Sequence, residues 1–189
     1  MKKLATILTM SCICLFGSLQ THASTTHKVK TGETYYKIAS TYGVSVHELM
    51  NSNGASSTLI YPGQSIKIPS TITSSEKDLV ARLVEAEAKG ESYAGKVAVA
   101  TVILNRVDSS LFPNTITGVI YQNGQFTPVQ NGKINESASA DSKRAVSEAL
   151  AYRGQGSGSL YFYNPDKTTN RWLRSKQVTV VIGNHVFAK

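Results

Sequence analysis

Residues 79–107 read LVARLVEAEAKGESYAGKVAVATVILNRV, and this stretch decides the fold of the C-terminal part of the chain. Its first half carries apolar residues at the spacing of one helix face, about 100° per residue: Leu79, Val80, Leu83 and Val84. Glu87 falls in the middle of that face, whereas Glu85 lies roughly opposite, where a solvated charge belongs. Gly90 ends this helix, and residues 97–107 are apolar nearly all round, which predicts a second, fully buried helix.

Glu87 is the first candidate for a catalytic acid. A carboxylate directed into an apolar face is costly unless it is protonated, paired or used in chemistry. Cleavage of a glycosidic bond needs such an acid, with a raised pKa, to protonate the leaving oxygen. A buried salt bridge with a neighbouring Arg or Lys would explain the same position, and helical periodicity does not decide between the two.

The number of carboxylates bears on the type of reaction. Hydrolysis by the usual route needs a second carboxylate about 5–9 Å from the first, across the sugar. Glu91, Asp141 and Asp166 are the candidates, and the sequence singles out none of them. Lytic transglycosylation needs only one, because the C6 hydroxyl of the muramyl residue attacks the anomeric carbon and one Glu serves as acid and then as base. A lone inward Glu favours this second route.

The N-terminus predicts export. Lys2 and Lys3 precede an apolar run over residues 4–19, and small residues follow at 21–23, as in a secretory signal peptide spanning residues 1–23. An uncleaved membrane anchor is the alternative, for which the apolar run is short and polar. Both cysteines of the chain lie in this segment, so we expect a mature chain without a disulfide or a thiolate metal site.

The net charge of the chain narrows the class of partner. It is +8, and it falls to +6 when Lys2 and Lys3 are removed with the signal peptide. A basic surface suits a polyanion, which is either a nucleic acid or an anionic cell wall. Export favours the wall, and the sequence contains no nucleic-acid-binding motif.

Several catalytic devices are excluded by residue type or spacing. The mature chain has no thiol nucleophile, and Ser157 lacks the glycine spacing of a nucleophile elbow. His27, His47 and His185 are scattered, without the spacing of metal ligands. The Gly-rich residues 154–158 lack the Lys and the helix of a phosphate loop. We therefore expect no metal and no cofactor, which leaves carboxylate chemistry.

Residues 26–70 read THKVKTGETYYKIASTYGVSVHELMNSNGASSTLIYPGQSIKIPS and predict a small separate domain. Val29 opens a short strand, helices follow over residues 35–42 and 45–50, and residues 65–69 form an alternating strand. The order is β-α-α-β in fewer than fifty residues, which implies a small core.

This segment resembles a LysM domain over its whole length, through the opening HKVKTGETYYKIASTYGVSVHELMNSN and the closing LIYPGQSIKIP. LysM modules bind glycans that contain N-acetylglucosamine, such as peptidoglycan and chitin. The resemblance implies a sugar groove between two loops, formed by Gly32, Glu33, Thr34 and Tyr35 and by Leu59, Ile60, Tyr61 and Pro62. For Tyr35 and Ile60, a place in the core is the alternative.

A polar linker, residues 71–75, leads to the second domain, residues 76–189. Thr73 and Glu76 predict a capping box at the start of the helix that carries Glu87. Further along the chain we predict a short helix over 113–122, a loop or hairpin around Asn131-Gly132 within 126–134, a helix over 139–153, and strands over 160–163, 178–182 and 185–187. Helices followed by strands indicate an α+β domain.

The second domain resembles the SleB-type cell wall hydrolases, which act in spore-cortex lysis. Three blocks carry the resemblance in the same order: EAEAKGESYAGKVAVATVILNRV, YQNGQFTPVQNGKI and SLYFYNPDKTTNRWLRSKQVTVVIGNHVFA. It implies a fold similar to the catalytic core of lysozyme-like transglycosylases, with Glu87, the first Glu of the E-A-x-G-E block, as the catalytic residue. Residues implied to line the substrate cleft are Gln125, Phe126, Tyr161, Asn164 and Trp172.

The sequence therefore predicts a secreted, cell-wall- or spore-associated enzyme that cleaves the MurNAc–GlcNAc bond of peptidoglycan as a lytic transglycosylase. The alternatives are a muramidase or glucosaminidase that uses water, and a catalytically silent peptidoglycan-binding protein. We expect a monomer whose partner is peptidoglycan and not nucleic acid, with a regulatory wall or membrane protein as a further partner. Whether its substrate is spore cortex or vegetative wall stays open.

Overall fold

The structure, a computed structural model, describes residues 25–69 and 72–189. The expected signal peptide, residues 1–23, lies outside the described residues. The described part forms an N-terminal βααβ unit and a C-terminal unit of helices followed by strands, as the sequence predicts. No helix in this part of the chain is long and apolar enough to cross a membrane.

The N-terminal unit pairs its first segment with its last. The strands β1 (Thr25–Lys28) and β2 (Ser65–Ile68) are antiparallel. The helices α1 (Tyr35–Tyr42) and α2 (Val46–Ser52) lie between them in the chain and share one core with them. The sequence predicts that Val29 opens the first strand, which is wrong because the strand precedes it. Strand pairing is made by main-chain groups and needs no apolar side chains, so the polar residues before Val29 can form the strand. Val29 follows the strand and is buried in the core of this unit.

Local capping explains the bounds of these two short helices. The Thr34 hydroxyl accepts from the Lys37 N–H at the start of α1, and Ser45 caps α2 by accepting from the Glu48 N–H. Gly43 ends α1 in the left-handed conformation, with φ of 71°. A residue with a Cβ is strained in that conformation, so a glycine is favoured there.

The helices of the C-terminal unit are α3 (Ser74–Ala88), α4 (Tyr93–Asp108), α5 (Ile116–Ile120), α6 (Thr127–Gln130) and α7 (Ala140–Ala151), with a 3₁₀ turn at Lys133–Asn135. The predicted capping box of Thr73 and Glu76 is present at the start of α3. The helices α3, α4 and α7 pack against one another around the main core, and α4 is buried along most of its length, as its composition predicts.

Two predicted segments differ from the structure. The loop or hairpin predicted for residues 126–134 is instead the helix α6 followed by the 3₁₀ turn, because Pro128 favours the first turn of a helix and Phe126 and Ile134 are both buried in the core. The helix predicted over 113–122 is shorter, since Thr115 caps α5 and fixes its start.

The C-terminal strands form one antiparallel sheet beside α4. The elements are β3 (Tyr161–Tyr163), the short helix α8 (Arg171–Arg174), β4 (Val178–Ile182) and β5 (His185–Ala188). The strand order is β3-β5-β4, so the last strand of the chain is the central one. Phe187 on β5 is buried in the helical core, which fixes the sheet to the helices.

The two units contact each other through α1 and α7. The ring of Tyr36 lies 5.3 Å from the ring of Tyr152, measured between centroids. Ala151, the last residue of α7, is fully buried within the core of the N-terminal unit. The short linker therefore joins two units that share buried surface.

Candidate active site

A cleft of about 480 Å³ lies between the end of α3, the segment formed by residues 111–127, and the C-terminal sheet with α8. Its lining comes from distant parts of the sequence: Glu87, Arg106, Leu111, Phe112, Gly124, Gln125, Phe126, Thr127, Tyr161, Phe162, Asn170, Trp172 and Leu173. Among the described residues, Glu87 is the one carboxylate in this lining. The cleft thus combines a single acid with aromatic walls.

Glu87 sits in the last turn of α3 with its side chain partly buried. Burial raises the pKa of its carboxyl above the ordinary value, and the positive charge of Arg106 opposes that rise. The negative end of the helix dipole also disfavours a carboxylate at this position. Within the described residues, Glu87 makes no hydrogen bond and no ion pair within 4.0 Å. The salt-bridge explanation that the sequence leaves open is therefore not supported.

Arg106 forms the floor of the cleft and is only 5% exposed. Its Nε donates to the Leu160 carbonyl at 2.7 Å, and its Nη1 donates to the Gln125 Oε1 at 3.3 Å. Its guanidinium also lies over the rings of Phe112 and Phe126, at 4.8 and 5.4 Å from their centroids. Neutral acceptors and aromatic faces therefore surround this charge.

The outer wall of the cleft is aromatic. Trp172, on α8, is 54% exposed and meets the ring of Tyr161 edge-on at 5.1 Å between centroids. The Lys176 ammonium lies 4.2 Å above the Trp172 ring and holds it from one side. A fixed, half-exposed indole beside an acid has the geometry of a stacking surface for a sugar ring.

The structure brings together four of the five residues implied for the cleft. Gln125, Phe126, Tyr161 and Trp172 all line it, although Phe126 is largely buried beneath Arg106. Asn164 is not in this lining, so its implied contact with substrate stays a prediction. Its side chain accepts from the Asp166 N–H at 2.8 Å and forms the turn after β3.

Sequence reasoning missed Arg106. A signal was present, because a charged residue inside the otherwise apolar run 97–107 is the same kind of irregularity as Glu87 on its apolar face. Leu111, Phe112 and Asn170 also line the cleft without any sequence signal. They reach it through loops whose paths depend on tertiary packing.

None of the three candidates for a second carboxylate lies in the cleft lining. Glu91 accepts from the Asn184 backbone N–H at 3.2 Å and from its side-chain amide at 3.3 Å, which ties the turn between α3 and α4 to the β4–β5 turn. Asp141 pairs with Arg144 on the surface of α7. Asp166 is exposed in the loop after β3. All three carboxylates therefore lie outside the lining to which Glu87 belongs.

Glu85 is not the solvated residue that its helical position predicts. Its Oε2 accepts from the Ser139 hydroxyl at 2.5 Å, from the Ser142 hydroxyl at 2.7 Å and from the Ser139 N–H at 3.3 Å. These bonds lower the pKa of its carboxyl. The side chain thus caps the N-terminus of α7 from α3, a long-range contact that periodicity within one helix cannot reveal.

The glycan-binding candidates of the N-terminal unit fall into two groups. Leu59 and Tyr61 are 64% and 62% exposed, and Gly32, Thr34 and Pro62 are also exposed. Tyr35 is 2% exposed and belongs to the core, so its implied place in the groove is corrected. Ile60 packs partly against that core, and Glu33 accepts from Lys30 and pairs with His27 at 2.7 Å.

Comparison with known proteins assigns both units. A family model described as Cell Wall Hydrolase matches residues 90–188, a segment that begins three residues after Glu87. A model described as LysM domain matches residues 27–69. The match to the first model spans more than half of the chain.

The relatives include spore cortex-lytic enzymes. The chain is 39% identical over 122 residues to the enzyme of that name from Bacillus cereus, and 37% identical over 122 residues to that of Bacillus subtilis. These alignments cover 65% of this chain and 47% and 40% of the two relatives, so the chain spans less than half of their length.

A solved structure shares the fold of the C-terminal unit. It is the catalytic domain of the germination-specific lytic transglycosylase SleB from Bacillus anthracis, which is 39% identical with a TM-score of 0.59. The similarity covers 65% of this chain and 100% of that one. The α+β fold and the matched model together show that the chain belongs to the Cell Wall Hydrolase family and carries a LysM domain in front of the family's domain.

Proposed function

We propose that this chain is a secreted lytic transglycosylase that cleaves the MurNAc–GlcNAc bond of peptidoglycan with Glu87 as its single acid and base. The observation that carries the proposal is the position of Glu87, an unpaired carboxyl with a raised pKa in an aromatic cleft that has no second carboxylate among the described residues. The names of the spore cortex-lytic relatives and of the SleB structure support the same reaction class.

The reaction uses the Glu87 carboxyl twice. In the first step its proton passes to the glycosidic oxygen, and the bond between that oxygen and the muramyl C1 breaks with its electron pair on the oxygen. In the second step the muramyl C6 hydroxyl oxygen attacks C1, and its proton passes to the Glu87 carboxylate. The products are a 1,6-anhydromuramyl end and a free GlcNAc hydroxyl, and Glu87 is again protonated.

The remaining cleft residues bind the substrate. Trp172 and Tyr161 provide the faces against which sugar rings stack, and the exposed amide of Gln125 provides polar contacts beside Arg106. Phe126 shapes the floor. Stacking at the wall and hydrogen bonding at the floor would fix a glycan strand with one bond next to Glu87.

The LysM domain attaches the enzyme to its polymer. We assign residues 1–23 to a signal peptide, 26–70 to LysM, 71–75 to the linker and 76–189 to the catalytic domain. Leu59, Tyr61 and the neighbouring Pro62 expose apolar surface on which N-acetylglucosamine would bind. The enzyme would act as a monomer in the cell wall or at the spore, under the control of a wall or membrane protein.

Mass spectrometry of digested peptidoglycan tests this proposal. The protein is incubated with vegetative and with cortex peptidoglycan, and the expected products end in 1,6-anhydromuramic acid. Reducing ends would instead indicate a water-using muramidase or glucosaminidase, and binding without any product would indicate a silent wall-binding protein.

Substitution of the acid tests the site. We expect Glu87→Gln to lower the rate by at least roughly 10²–10⁴-fold, the usual contribution of a general acid or base, while binding to sedimented peptidoglycan is retained. Asp166→Asn is the matched control, because it removes an exposed carboxylate outside the cleft lining. Equal activity of the Glu87→Gln protein and the wild type would refute the assignment.

A further inference from the structure

Arg106 carries a charge that the fold does not neutralise. Its guanidinium is nearly buried, and its two hydrogen bonds go to neutral acceptors, the Leu160 carbonyl and the Gln125 amide. No carboxylate of the described residues lies within 4.0 Å of it. By contrast, Arg153, two residues after α7, has a two-pronged pair with Asp108.

A buried cation without an anionic partner is costly to a protein. Packing between aromatic rings could be served by an apolar side chain of similar length, without the cost of removing a charge from water. The rings of Phe112, Phe126 and Tyr161 lie 4.8, 5.4 and 5.8 Å from the guanidinium carbon and offset part of that cost. The charge is thus held in place by the cleft, and the carboxyl that shares the cleft with it is Glu87.

We propose that Arg106 is a positioning residue for the Glu87 carboxylate. Its guanidinium stabilises the anion that Glu87 becomes after donating its proton, and so allows one side chain to act first as acid and then as base. This inference rests on the proposed transglycosylase reaction and extends it to a residue that does not itself exchange a proton with substrate.

The two halves of the reaction place opposite demands on Glu87. Burial favours the protonated form, which the first step needs, and raises the pKa of the carboxyl. With burial alone the carboxylate would be too unstable to form readily as the bond breaks. The charge of Arg106 lowers the pKa of Glu87, so that both the protonated and the ionised carboxyl can form during the reaction.

The rate of 1,6-anhydromuramyl product formation, measured against pH, tests the proposal. Activity falls as pH rises through the pKa of Glu87, because the first step needs the protonated acid. We expect Arg106→Met to move this descending limb to higher pH and to lower the maximal rate on the order of tenfold. Arg106→Lys keeps a charge but loses the planar fork, so its limb should move in the same direction by less.

The matched control is Arg153→Met, which removes a guanidinium that pairs with Asp108 and lies outside the cleft lining. Its pH profile should equal that of the wild type. Should Arg106→Met fail to fold, as judged by circular dichroism, Arg106→Lys decides the question alone. A wild-type pH limb in whichever of these variants folds would overturn the proposal, because a merely structural arginine changes rate without changing the limb.

A second measurement separates this inference from the proposed function. Carbon-13 NMR of glutamate-labelled protein follows the titration of the Glu87 carboxyl in the wild type and in the Arg106 variants, with Glu87→Gln used to assign the signal. Upward displacement of the titration in both variants supports the inference even if peptidoglycan is not cleaved, and an unchanged titration overturns it. Absence of anhydro products from the wild type would refute the reaction and leave this result standing.

Discussion

Two glutamates on the same helix should respond to the same substitution with opposite changes in stability. Glu85 and Glu87 are separated by one residue on α3, and each can be changed to the isosteric, neutral Gln. Glu85 accepts three hydrogen bonds from Ser139 and Ser142, whereas Glu87 has no hydrogen bond or ion pair among the described residues. The Glu85 carboxylate therefore stabilises the fold, whereas the Glu87 carboxylate destabilises it.

The contacts give the magnitudes. Hydrogen bonds to a charged group contribute about 1.5–3 kcal/mol and neutral ones about 0.5–1.5 kcal/mol, so loss of the charge weakens each bond. With a discount for the partial exposure of the site, we expect Glu85→Gln to lower the free energy of unfolding by about 1–2 kcal/mol at pH 7. Glu87→Gln removes an unpaired buried anion and should raise it by about 0.5–2 kcal/mol, the usual gain on relieving a destabilised functional site.

The two changes should also depend on pH in opposite ways. The folded pKa of Glu85 is below its ordinary value of 4.5, so its contribution is present above that value and is lost as pH falls through the folded pKa. The folded pKa of Glu87 is above 4.5, so the folded state binds more protons and the wild type loses stability as pH rises from 4.5 through that pKa. Below both values the Glu87→Gln protein should match the wild type.

Thermal unfolding followed by circular dichroism at pH 7 and at pH 3.5 measures both effects. At pH 7 the midpoints of the two variants should differ by roughly 5–10 °C, and Glu87→Gln should be the more stable and yet inactive protein. At pH 3.5 the difference should shrink. The reasoning fails if Glu87→Gln is destabilised at pH 7, because that result would mean that the carboxylate has a stabilising partner.

Two further substitutions test the contact between Glu91 and the β4–β5 turn and the aromatic wall of the cleft. Gly183→Ala should lower the free energy of unfolding by about 2–3 kcal/mol in urea, because its φ is 57° and a Cβ there would displace the Glu91 carboxylate from its two hydrogen bonds to Asn184. Gly124→Ala, with φ of 73° and open space around it, should cost only about 1 kcal/mol, and equal losses would contradict this displacement. Trp172→Ala should raise KM for soluble glycan strands about tenfold with the fold intact, while Trp172→Phe keeps a flat face against Tyr161 and should lose less; an unchanged KM in the Ala protein would exclude stacking.

Local patterns in the sequence predict the elements of this fold well. The capping box predicts the start of α3 at Thr73, because the bonds that fix it lie within four residues. The apolar face of α3 likewise places Glu87 against the core. Prediction from the sequence fails where contacts with distant residues determine the local conformation. The turn at Asn131-Gly132 resembles a hairpin, but burial of the side chains on either side of it makes the segment helical.

The three neighbouring glutamates near the candidate site also show that local patterns predict position but not long-range contacts. Glu85, Glu87 and Glu91 lie within seven residues, and nothing local distinguishes their chemistry beyond the helical face. Tertiary structure assigns them. The start of α7 supplies donors to Glu85, and the turn before β5 supplies donors to Glu91, through residues more than fifty positions away. Among the described residues no donor reaches Glu87, and the charge that acts on it is that of Arg106, whose own hydrogen bonds go to neutral groups. On the proposed assignment, Glu87 is the usable acid because the fold supplies hydrogen bonds to Glu85 and Glu91 and leaves the Glu87 carboxyl to the substrate.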